Sequence, residues 1–468
     1  MKKSVFKIIL LLLMPVWTAA QQLEIHHINI NNGDATIIAM KNANNAYTYK
    51  MIIDGGQSNY NTYLGPYINA IFGNTNFNLM VLSHYHNDHY NGLLALHRGL
   101  IQAAEVIDAG GYQLACMCGS LQPGNTGFPP FAPPATWKSN LSGYWGGHQS
   151  FSRNTVFNAF PTDIALSEPQ GDMGATVWLH NLAGAGWTQQ GSMGKINQIT
   201  TGRNNPNNFT LGWLITYGQF RYYTAGDIGG YDNNYTGYNG AAISCGSYTN
   251  QETAISAALP YGNGGRAVSW DNTTASNSHI CAFKASHHGS ACSNNTALFN
   301  AMNPAVCVTS AGSNGRWKLP KPDFLYRLNN AVPLSTHLNP PNGVFNKGVF
   351  FTNLMNFPGQ ANLTVANGFF AGVNGLAYDF NGSYVITIPF TSPDSTSNIK
   401  EASVFNVKRI RFTPGVQVTN MGWFQCHKSP ALLDDDLPPP AAWGDTLQKA
   451  SDLPLNEFKK RYRNIQFR

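Results

Sequence analysis

The stretch His84-Tyr85-His86-Asn87-Asp88-His89 gathers three imidazoles and one carboxylate directly after the apolar run Leu79-Met80-Val81-Leu82. The short apolar run predicts a strand that is buried on both faces. Ligands of open α/β sheets bind where such strands end. Imidazole and carboxylate suit Zn²⁺ well and Mn²⁺ acceptably. The stretch therefore predicts a metal site at the end of this strand. The alternative is a solvated loop that is merely rich in histidine.

Four further segments combine glycine with acidic, basic or imidazole side chains. In chain order they are Ile28-Asn29-Ile30-Asn31-Asn32-Gly33-Asp34-Ala35-Thr36, Ile52-Ile53-Asp54-Gly55-Gly56, Tyr223-Thr224-Ala225-Gly226-Asp227 and Lys284-Ala285-Ser286-His287-His288-Gly289-Ser290.

With the His84 to His89 stretch, these motifs resemble the metallo-β-lactamase-fold hydrolases. Within that superfamily they are similar to the branch that contains the extracytoplasmic hydrolase domain of the DNA-uptake protein ComEC/Rec2. The resemblance covers about residues 23 to 330. It implies an α/β fold, the metallo-β-lactamase-like αββα sandwich, in which two mixed β-sheets are flanked by helices. Here we expect loop insertions and a β-rich C-terminal extension as well.

The resemblance also implies a site for two divalent metal ions, with Zn²⁺ expected and Mn²⁺ possible. His84 and His86 would bind one ion, Asp88, His89 and His287 the other, and Asp227 would bridge them. Of His287 and His288, His287 is the preferred ligand, and the choice between the two stays open.

The expected site is completed by His288, by Asp54 and by one further histidine. His288 would act as a general acid or support a ligand, and Asp54 would support the metal loop from behind. Asp88, Asp227 and His288 are the residues expected to take part in catalysis. Many family members add a third histidine to the first ion. His148 and His180 are the candidates here, and His180 is the better one because it ends an apolar run. The alternative is a strand-end histidine satisfied by a backbone partner.

Two cations at one site predict a hydrolase in which water becomes a metal-bound hydroxide near neutral pH and the substrate oxygen is polarised. Phosphoester or phosphodiester bonds are the first expectation, because both the attacking and the leaving oxygen carry charge. A small molecule or a nucleic acid could present such a bond. One alternative is a lactone, a β-lactam or another acyl substrate, since fold alone does not determine function. Another is a non-catalytic, metal-stabilised binding protein.

The N-terminus predicts export. Met1-Lys2-Lys3, the apolar run Ile8 to Met14 and Thr18-Ala19-Ala20 have the order of a signal peptide, residues 1–20. We expect a periplasmic or extracellular protein without stable membrane insertion after cleavage, and a retained anchor is the alternative. Only 11% of residues are charged and the formal net charge is +6. This balance permits a nucleic-acid substrate without requiring one. The oligomeric state is not determined by these features.

The 468 residues divide by pattern into the signal peptide, a hydrolase domain at 21–340, a β-rich extension at 341–436 and a polar tail at 437–468. The extension could add to the hydrolase sheets or form a small domain of its own. In the oxidising compartment that export implies, a disulfide between Cys281 and Cys292 would brace the His287-His288 loop, although the connectivity is not deducible.

Periodicity and turn residues predict further elements. We expect strands at 23–30, 35–40 and 47–53, a helix at 60–72, and a hairpin of 211–217 with 220–224 that delivers Asp227 to a sheet edge. The insertion 119–147 is expected near the mouth of the site, with an inert surface position as the alternative, and the insertion 231–277 holds Tyr, Asn and Gly side chains that could line a polar cleft. Strands are also predicted at 344–351, 363–370, 383–390 and 404–412.

Overall fold

The structure of the protein is a computed structural model. It describes residues 22–42, 44–96, 98–108, 135–137, 139–140, 152–155, 163–166, 177–184, 187–190, 194–195, 205–217, 220–231, 243–246, 248–259, 280–302, 304–312, 319–331, 347–354, 376–389, 404–412 and 415–425. The predicted signal peptide, the polar tail, His148, the strand at 363–370 and most of both insertions lie outside these residues.

The described residues form strands and short helices. The strands are β1 Gln22–His27, β2 Thr36–Lys41, β3 Tyr47–Ile53, β4 Asn76–Val81, β5 Gln102–Asp108, β6 Ser152–Thr155, β7 Asp163–Leu166, β8 Val177–Gly184, β9 Trp187–Gln190, β10 Gly194–Lys195, β11 Gly212–Tyr217, β12 Phe220–Thr224, β13 Ala282–Lys284, β14 Val306–Thr309, β15 Lys347–Phe351, β16 Leu376–Phe380, β17 Ser383–Pro389, β18 Val404–Arg411 and β19 Gln417–Gln425. The α-helices are α1 Leu64–Phe72, α2 Asn87–Tyr90, α3 Glu252–Ala258, α4 Thr296–Met302 and α5 Pro322–Ala331.

The strands build two mixed sheets. The first has the order β19-β18-β17-β1-β2-β3-β4-β5-β6, and it is parallel from β3 to β6. The second has the order β10-β9-β8-β11-β12-β13-β14-β15-β16, with β7 beside β8, and it is parallel from β12 to β16. The remaining neighbouring strands of both sheets are antiparallel, so each sheet has a parallel part and an antiparallel part.

The sheets and helices pack against one another through three apolar cores. Strand β4 contributes side chains to two of them. Leu79 and Val81 face the core between the two sheets, whereas Met80 packs on the outer face beside α1. Successive side chains of a strand alternate faces, so the end of β4 that has a core on both sides is apolar. A third core lies between the outer face of the second sheet and helices α3, α4 and α5. The prediction of an αββα sandwich is confirmed.

Element boundaries differ from expectation mainly at α1. The predicted helix at 60–72 begins only at Leu64, after a turn that includes Tyr60. Pro66 in the first helical turn is compatible with this start, because the amide hydrogens there have no partner within the helix. Strand β3 and the second strand of the predicted hairpin, β12, have the predicted bounds.

The strands beyond residue 340 complete both sheets. Strand β15 pairs with β14 in the second sheet, and β17 pairs with β1 in the first. The described strands of this part of the chain therefore extend both sheets. Within the described ranges, no helix has the length and apolar character needed to cross a membrane.

Candidate metal centre

The segments that follow three strands converge where the two sheets end together. The loop after β4 carries His84 to His89, the turn after β12 carries Asp227, and the segment after β13 carries His287 and His288. Because β3 and β4 are parallel, as are β12 and β13, their carboxyl ends lie at the same edges. This is the position at which α/β sheets bind ligands.

Asp227 lies at the centre of the cluster, and its two oxygens face different histidines. Its Oδ2 is 3.7 Å from His84 Nε2 and 3.6 Å from His287 Nε2. Its Oδ1 is 3.2 Å from His89 Nε2 and 3.5 Å from His288 Nε2. Tetrahedral ligands at typical zinc distances are about 3.4 Å apart. The carboxylate is thus placed to contribute one oxygen to each of two ion sites.

The ligand atoms form two groups that share Asp227. One group contains His84, His86 and Asp227, and the other contains Asp34, His89, Asp227 and His288. Asp88 lies beside the second group, with its Oδ2 3.3 Å from His288 Nε2.

Hydrogen bonds behind the cluster orient its histidines. Asp54 accepts from the Ser83 amide at 2.8 Å and the Ser83 hydroxyl at 2.7 Å, and it lies 2.8 Å from His89 Nδ1. His288 Nδ1 is 3.0 Å from the Ser310 carbonyl oxygen. Each contact fixes one ring nitrogen and directs Nε2 of the same ring into the site, as is usual for metal-ligating histidines.

The backbone of the ligand segments adopts rare conformations. His287 and His288 have φ of 51° and 52°, and Asp54 has φ of 59°. Each such non-glycine residue costs about 1–3 kcal/mol and persists only where the surroundings enforce it. Gly33 also has φ of 91°, and a Cβ there would lie 1.8 Å from the Asp88 carbonyl oxygen. Only glycine lets the β1–β2 turn approach the metal loop this closely.

The electrostatics show that the cluster requires positive charge. Burial would raise the pKa of Asp227, but His89, His288 and His287 outweigh it and hold that pKa well below the usual range. Burial would lower the pKa of His288, but Asp227, Asp34 and Asp88 raise it to about 10. The pKa of His287 falls to about 4, because burial dominates there. Without a metal, protons on His89 and His288 must supply the charge that the carboxylates need.

The donor set fits a divalent metal. Within the described part of the chain, Asp34 Oδ1, His89 Nε2, Asp227 Oδ1 and His288 Nε2 are buried without a hydrogen-bond partner. Buried polar atoms are normally paired, so four unpaired ligand atoms facing one another indicate a missing partner. Imidazole and carboxylate donors suit Zn²⁺ or Mn²⁺.

Two expectations differ from the observed geometry. His180 belongs to neither group; its Nε2 is 3.1 Å from Thr216 Oγ1 and its ring stacks on Trp178. It pairs with Leu214, at the level of Tyr223 in β12, whereas the cluster lies beyond the end of that strand. In addition, His288 rather than His287 groups with His89, because the two side chains point to opposite oxygens of Asp227.

Sequence reasoning missed Asp34 as a candidate ligand, although it quoted the Gly33-Asp34 turn. The buried ammonium of Lys284 binds Asp34 and contacts the Ala285 carbonyl oxygen at 3.2 Å. The signal was a glycine-aspartate pair in a turn between two strands, which is also an ordinary turn sequence. Its approach to the metal loop depends on the packing of both sheets.

Asn207 and Tyr248 were also missed. Asn207 Nδ2 is 3.5 Å from His287 Nε2, and the Tyr248 and His287 ring centroids are 5.3 Å apart. Burial raises the pKa of Tyr248 to about 12, so the phenol keeps its proton at neutral pH. Neither residue belongs to a recognisable motif, so no local signal identified them.

The disulfide near the site differs from the predicted one. Cys292 is bonded to Cys245, not to Cys281. The bond ties the second insertion to the segment that follows the two histidines. Cys307 is buried and is a free thiol.

Three kinds of comparison with known proteins were made, with families, with curated proteins and with solved structures. No protein-family model matches the chain. No curated protein matches it either. Among solved structures, the metallo-beta-lactamase fold protein YhfI from Bacillus subtilis is similar at 11% identity over 78% of this chain and 99% of that chain, with a TM-score of 0.32. CmlA, a diiron beta-hydroxylase from Streptomyces venezuelae, is similar at 9% identity over 62% of this chain and 44% of that chain, with a TM-score of 0.28. Similarities this low carry no inference about activity, so the function rests on the site itself.

Proposed function

We propose that this chain is a metal-dependent hydrolase and that its substrates contain a phosphoester or phosphodiester bond. The main support for this proposal is the position of Asp227. Its two carboxylate oxygens face two separate sets of imidazoles, at distances of 3.2 to 3.7 Å. A carboxylate shared in this way is what a two-ion site requires.

The side chains have distinct tasks in this proposal. His84 and His86 would hold one ion together with Asp227, with His287 beside them, and Asp34, His89 and His288 would hold the other, with Asp88 beside them. A pair of divalent ions supplies a strong nucleophile at neutral pH and neutralises charge on the substrate. The protein orients the imidazoles of His89 and His288 through Asp54 and Ser310. Most of the ligands are buried, namely Asp34, His84, His89, Asp227 and His288.

The preference for a phosphorus centre comes from charge. Phosphodiester cleavage places negative charge on both the attacking and the leaving oxygen, and two adjacent cations match both. Acyl substrates such as lactones remain the second candidate, because the same ions polarise a carbonyl oxygen equally well.

The direct test uses the mature chain loaded with Zn²⁺ or Mn²⁺ and the generic substrate bis(p-nitrophenyl) phosphate. We expect metal-dependent release of p-nitrophenol that Asp227→Ala abolishes. His180→Ala is the matched control, since that histidine lies outside both groups. Metal binding without phosphodiester hydrolysis would contradict the substrate class and direct the search to acyl compounds. Equal loss in His180→Ala would contradict the assignment of the site.

We also propose that the protein is exported, on the basis of the three-part pattern of residues 1–20. N-terminal sequencing of the protein expressed in its host should find Gln21 first. A chain that retains Met1 would contradict export by signal cleavage.

A further inference from the structure

We propose that Asn294 is a positioning residue of the metal centre. Its carboxamide holds the backbone of Ser286 and thereby directs the next two side chains, His287 and His288, to opposite oxygens of Asp227. The inference rests on the proposed function, because it concerns the construction of that same site, but metal binding tests it separately from hydrolysis.

The side chain of Asn294 binds both main-chain groups of one residue. Its Oδ1 accepts from the Ser286 amide at 2.9 Å, and its Nδ2 donates to the Ser286 carbonyl oxygen at 2.9 Å. We call this pair of bonds the Asn294 clamp. Both residues are 0% exposed, so water does not compete for these bonds. Two bonds from one planar group determine the orientation of the Ser286 backbone as well as its position.

The clamp lies where the backbone enters a rare conformation. His287 has φ of 51° and ψ of 45°, and His288 has φ of 52° and ψ of 25°, so two consecutive residues are left-handed. Non-glycine residues adopt this conformation only where the surroundings enforce it. Ser286 immediately precedes the pair. A rotation at Ser286 would move both rings away from Asp227, which lies 3.6 Å from His287 Nε2 and 3.5 Å from His288 Nε2.

Asn294 is itself held in place by Glu252, the first residue of α3. Asn294 has φ of 61°, a conformation that asparagine tolerates better than most residues. Its amide donates to Glu252 Oε1 at 2.8 Å, and the Asn295 amide donates to Glu252 Oε2 at 2.7 Å. The Ser286 side chain interacts with the same carboxyl group. The 0% exposed Glu252 therefore joins both ends of the clamp.

The residues just before Asn294 are fixed as well. Arg327 Nη2 donates to the carbonyl oxygens of Ala291 at 2.7 Å and of Ser293 at 2.8 Å. Cys292, between them, is bonded to Cys245. Ligand-orienting groups are effective only if their own support is rigid. We therefore expect the clamp to form before any metal binds.

The neighbouring Asn295 shows what a purely structural asparagine does in the same segment. Its Oδ1 accepts from the Leu298 amide at 2.8 Å, at the start of α4, which is the contact of a helix N-cap. Loss of this cap should destabilise the fold without moving the histidines. Asn294 and Asn295 thus provide a test that separates positioning from stability.

The test compares three variants by zinc affinity, measured by competition with a chelator, and by the visible absorption of the cobalt-loaded protein, which reports ligand geometry. Asn294→Gly tolerates the left-handed backbone and removes only the carboxamide. It should weaken zinc binding by about 10- to 100-fold, as other ligand-orienting residues do, and change the cobalt spectrum.

Two controls accompany this variant. Asn295→Ala should lower Tm but keep the zinc affinity and the cobalt spectrum of the wild type. Asn45→Gly makes the same substitution at φ of 62° in an exposed turn and should match the wild type in every measurement. In hydrolysis, Asn294→Gly should lower kcat more than it raises KM, because misplaced ions lose stabilisation of the transition state.

A measurement on the wild type decides the case if Asn294→Gly does not fold. Hydrogen exchange of the metal-free protein, followed by mass spectrometry, should already be slow in the peptide that contains Ser286. Rapid exchange there that slows only with zinc would overturn the inference, because the metal rather than Asn294 would then order the segment.

The remaining outcomes are equally distinct. Zinc affinity and a cobbled-free comparison of spectra that are unchanged in Asn294→Gly, or equal loss of zinc affinity in Asn295→Ala, would overturn the positioning role. A wild type that binds no metal would overturn both this inference and the proposed function. Weakened zinc binding in Asn294→Gly, together with a wild type that hydrolyses no phosphodiester, would support the positioning role and reject the proposed function.

Discussion

Two buried clusters in this molecule combine histidine with carboxylate, yet they differ in how their hydrogen bonds are used. The first, the Glu24 network, lies on the first sheet. Glu24 accepts from Gln22 and Lys41 at 2.8 Å each and from Tyr47 at 2.9 Å, and it lies 3.2 Å from His26. The other ring nitrogen of His26 lies 2.9 Å from the Tyr67 hydroxyl. Every polar atom of the Glu24 carboxylate and the His26 ring has a partner.

The metal cluster is the opposite case. Four of its buried ligand atoms have no hydrogen-bond partner among the described residues, although three of the four side chains, those of His89, His288 and Asp34, are held from behind. A satisfied network stabilises a fold, whereas an oriented but unsatisfied one is prepared for a ligand. Residue type and burial do not distinguish the two clusters, but an account of every donor and acceptor does.

The largest expected effect concerns metal binding. Saturating Zn²⁺, at about 1,000 times its Kd, should raise the free energy of unfolding by about 4 kcal/mol, because the ion binds only the folded chain. Asp227→Ala should lose this effect and most of its bound zinc, as measured by thermal melts and elemental analysis. Glu24→Gln should keep the full zinc-dependent shift. If zinc stabilised Asp227→Ala as strongly as the wild type, the assignment of Asp227 as a metal ligand would be wrong.

The next effect concerns the two lysine ion pairs, one beside each cluster. The Lys284 side chain is 1% exposed and pairs with Asp34, whereas the Lys41 side chain is 14% exposed and pairs with Glu24. Removing one partner of a fully buried pair leaves an uncompensated charge and costs about 3–5 kcal/mol. Lys284→Met should therefore lower the free energy of unfolding of the metal-free protein by that amount, and Lys41→Met by about 1 kcal/mol. Urea melts of both variants give the answer, and equal losses would contradict the difference in burial.

The pH dependence of the Glu24 network should give a somewhat smaller effect. Burial opposes ionisation of Glu24, but His26 and Lys41 outweigh it and lower its pKa from 4.5 to about 2. This shift corresponds to roughly 3 kcal/mol of stability. Because the folded pKa is the lower one, the contribution is fully present above pH 4.5 and is lost as the pH falls toward 2. Glu24→Gln should be less stable than the wild type at pH 7, and the difference should shrink over that range in urea melts. A constant difference would contradict the shift.

The smallest effect is expected at His180. Because its contact is Thr216 rather than the cluster, His180→Gln should keep full metal content and change stability by less than about 1 kcal/mol. His84→Gln is the contrasting variant and should lose metal. Elemental analysis of both purified variants tests this. Loss of metal in His180→Gln would indicate that His180 is a metal ligand after all.

Local patterns in the chain were sufficient to predict a core on each face of β4 and the chemical nature of the ligands that follow it. Side-chain alternation in Leu79 to Val81 required a core on each face, and the histidines after β4 pointed to a metal. These features depend on neighbours within one strand or turn, so local patterns reveal them.

Contacts between distant residues could not be predicted in this way and became apparent in the folded chain. The tertiary structure paired Cys292 with Cys245, placed Asp34 beside His288, divided His287 from His288 across Asp227, and left His180 in the middle of a strand. It also inserted β15 and β17 into two different sheets. Such contacts join segments far apart in the chain, and they depend on strand order and on the direction of each side chain at the sheet edge. Neither strand order nor side-chain direction can be recognised from the residues that neighbour each metal ligand in the sequence.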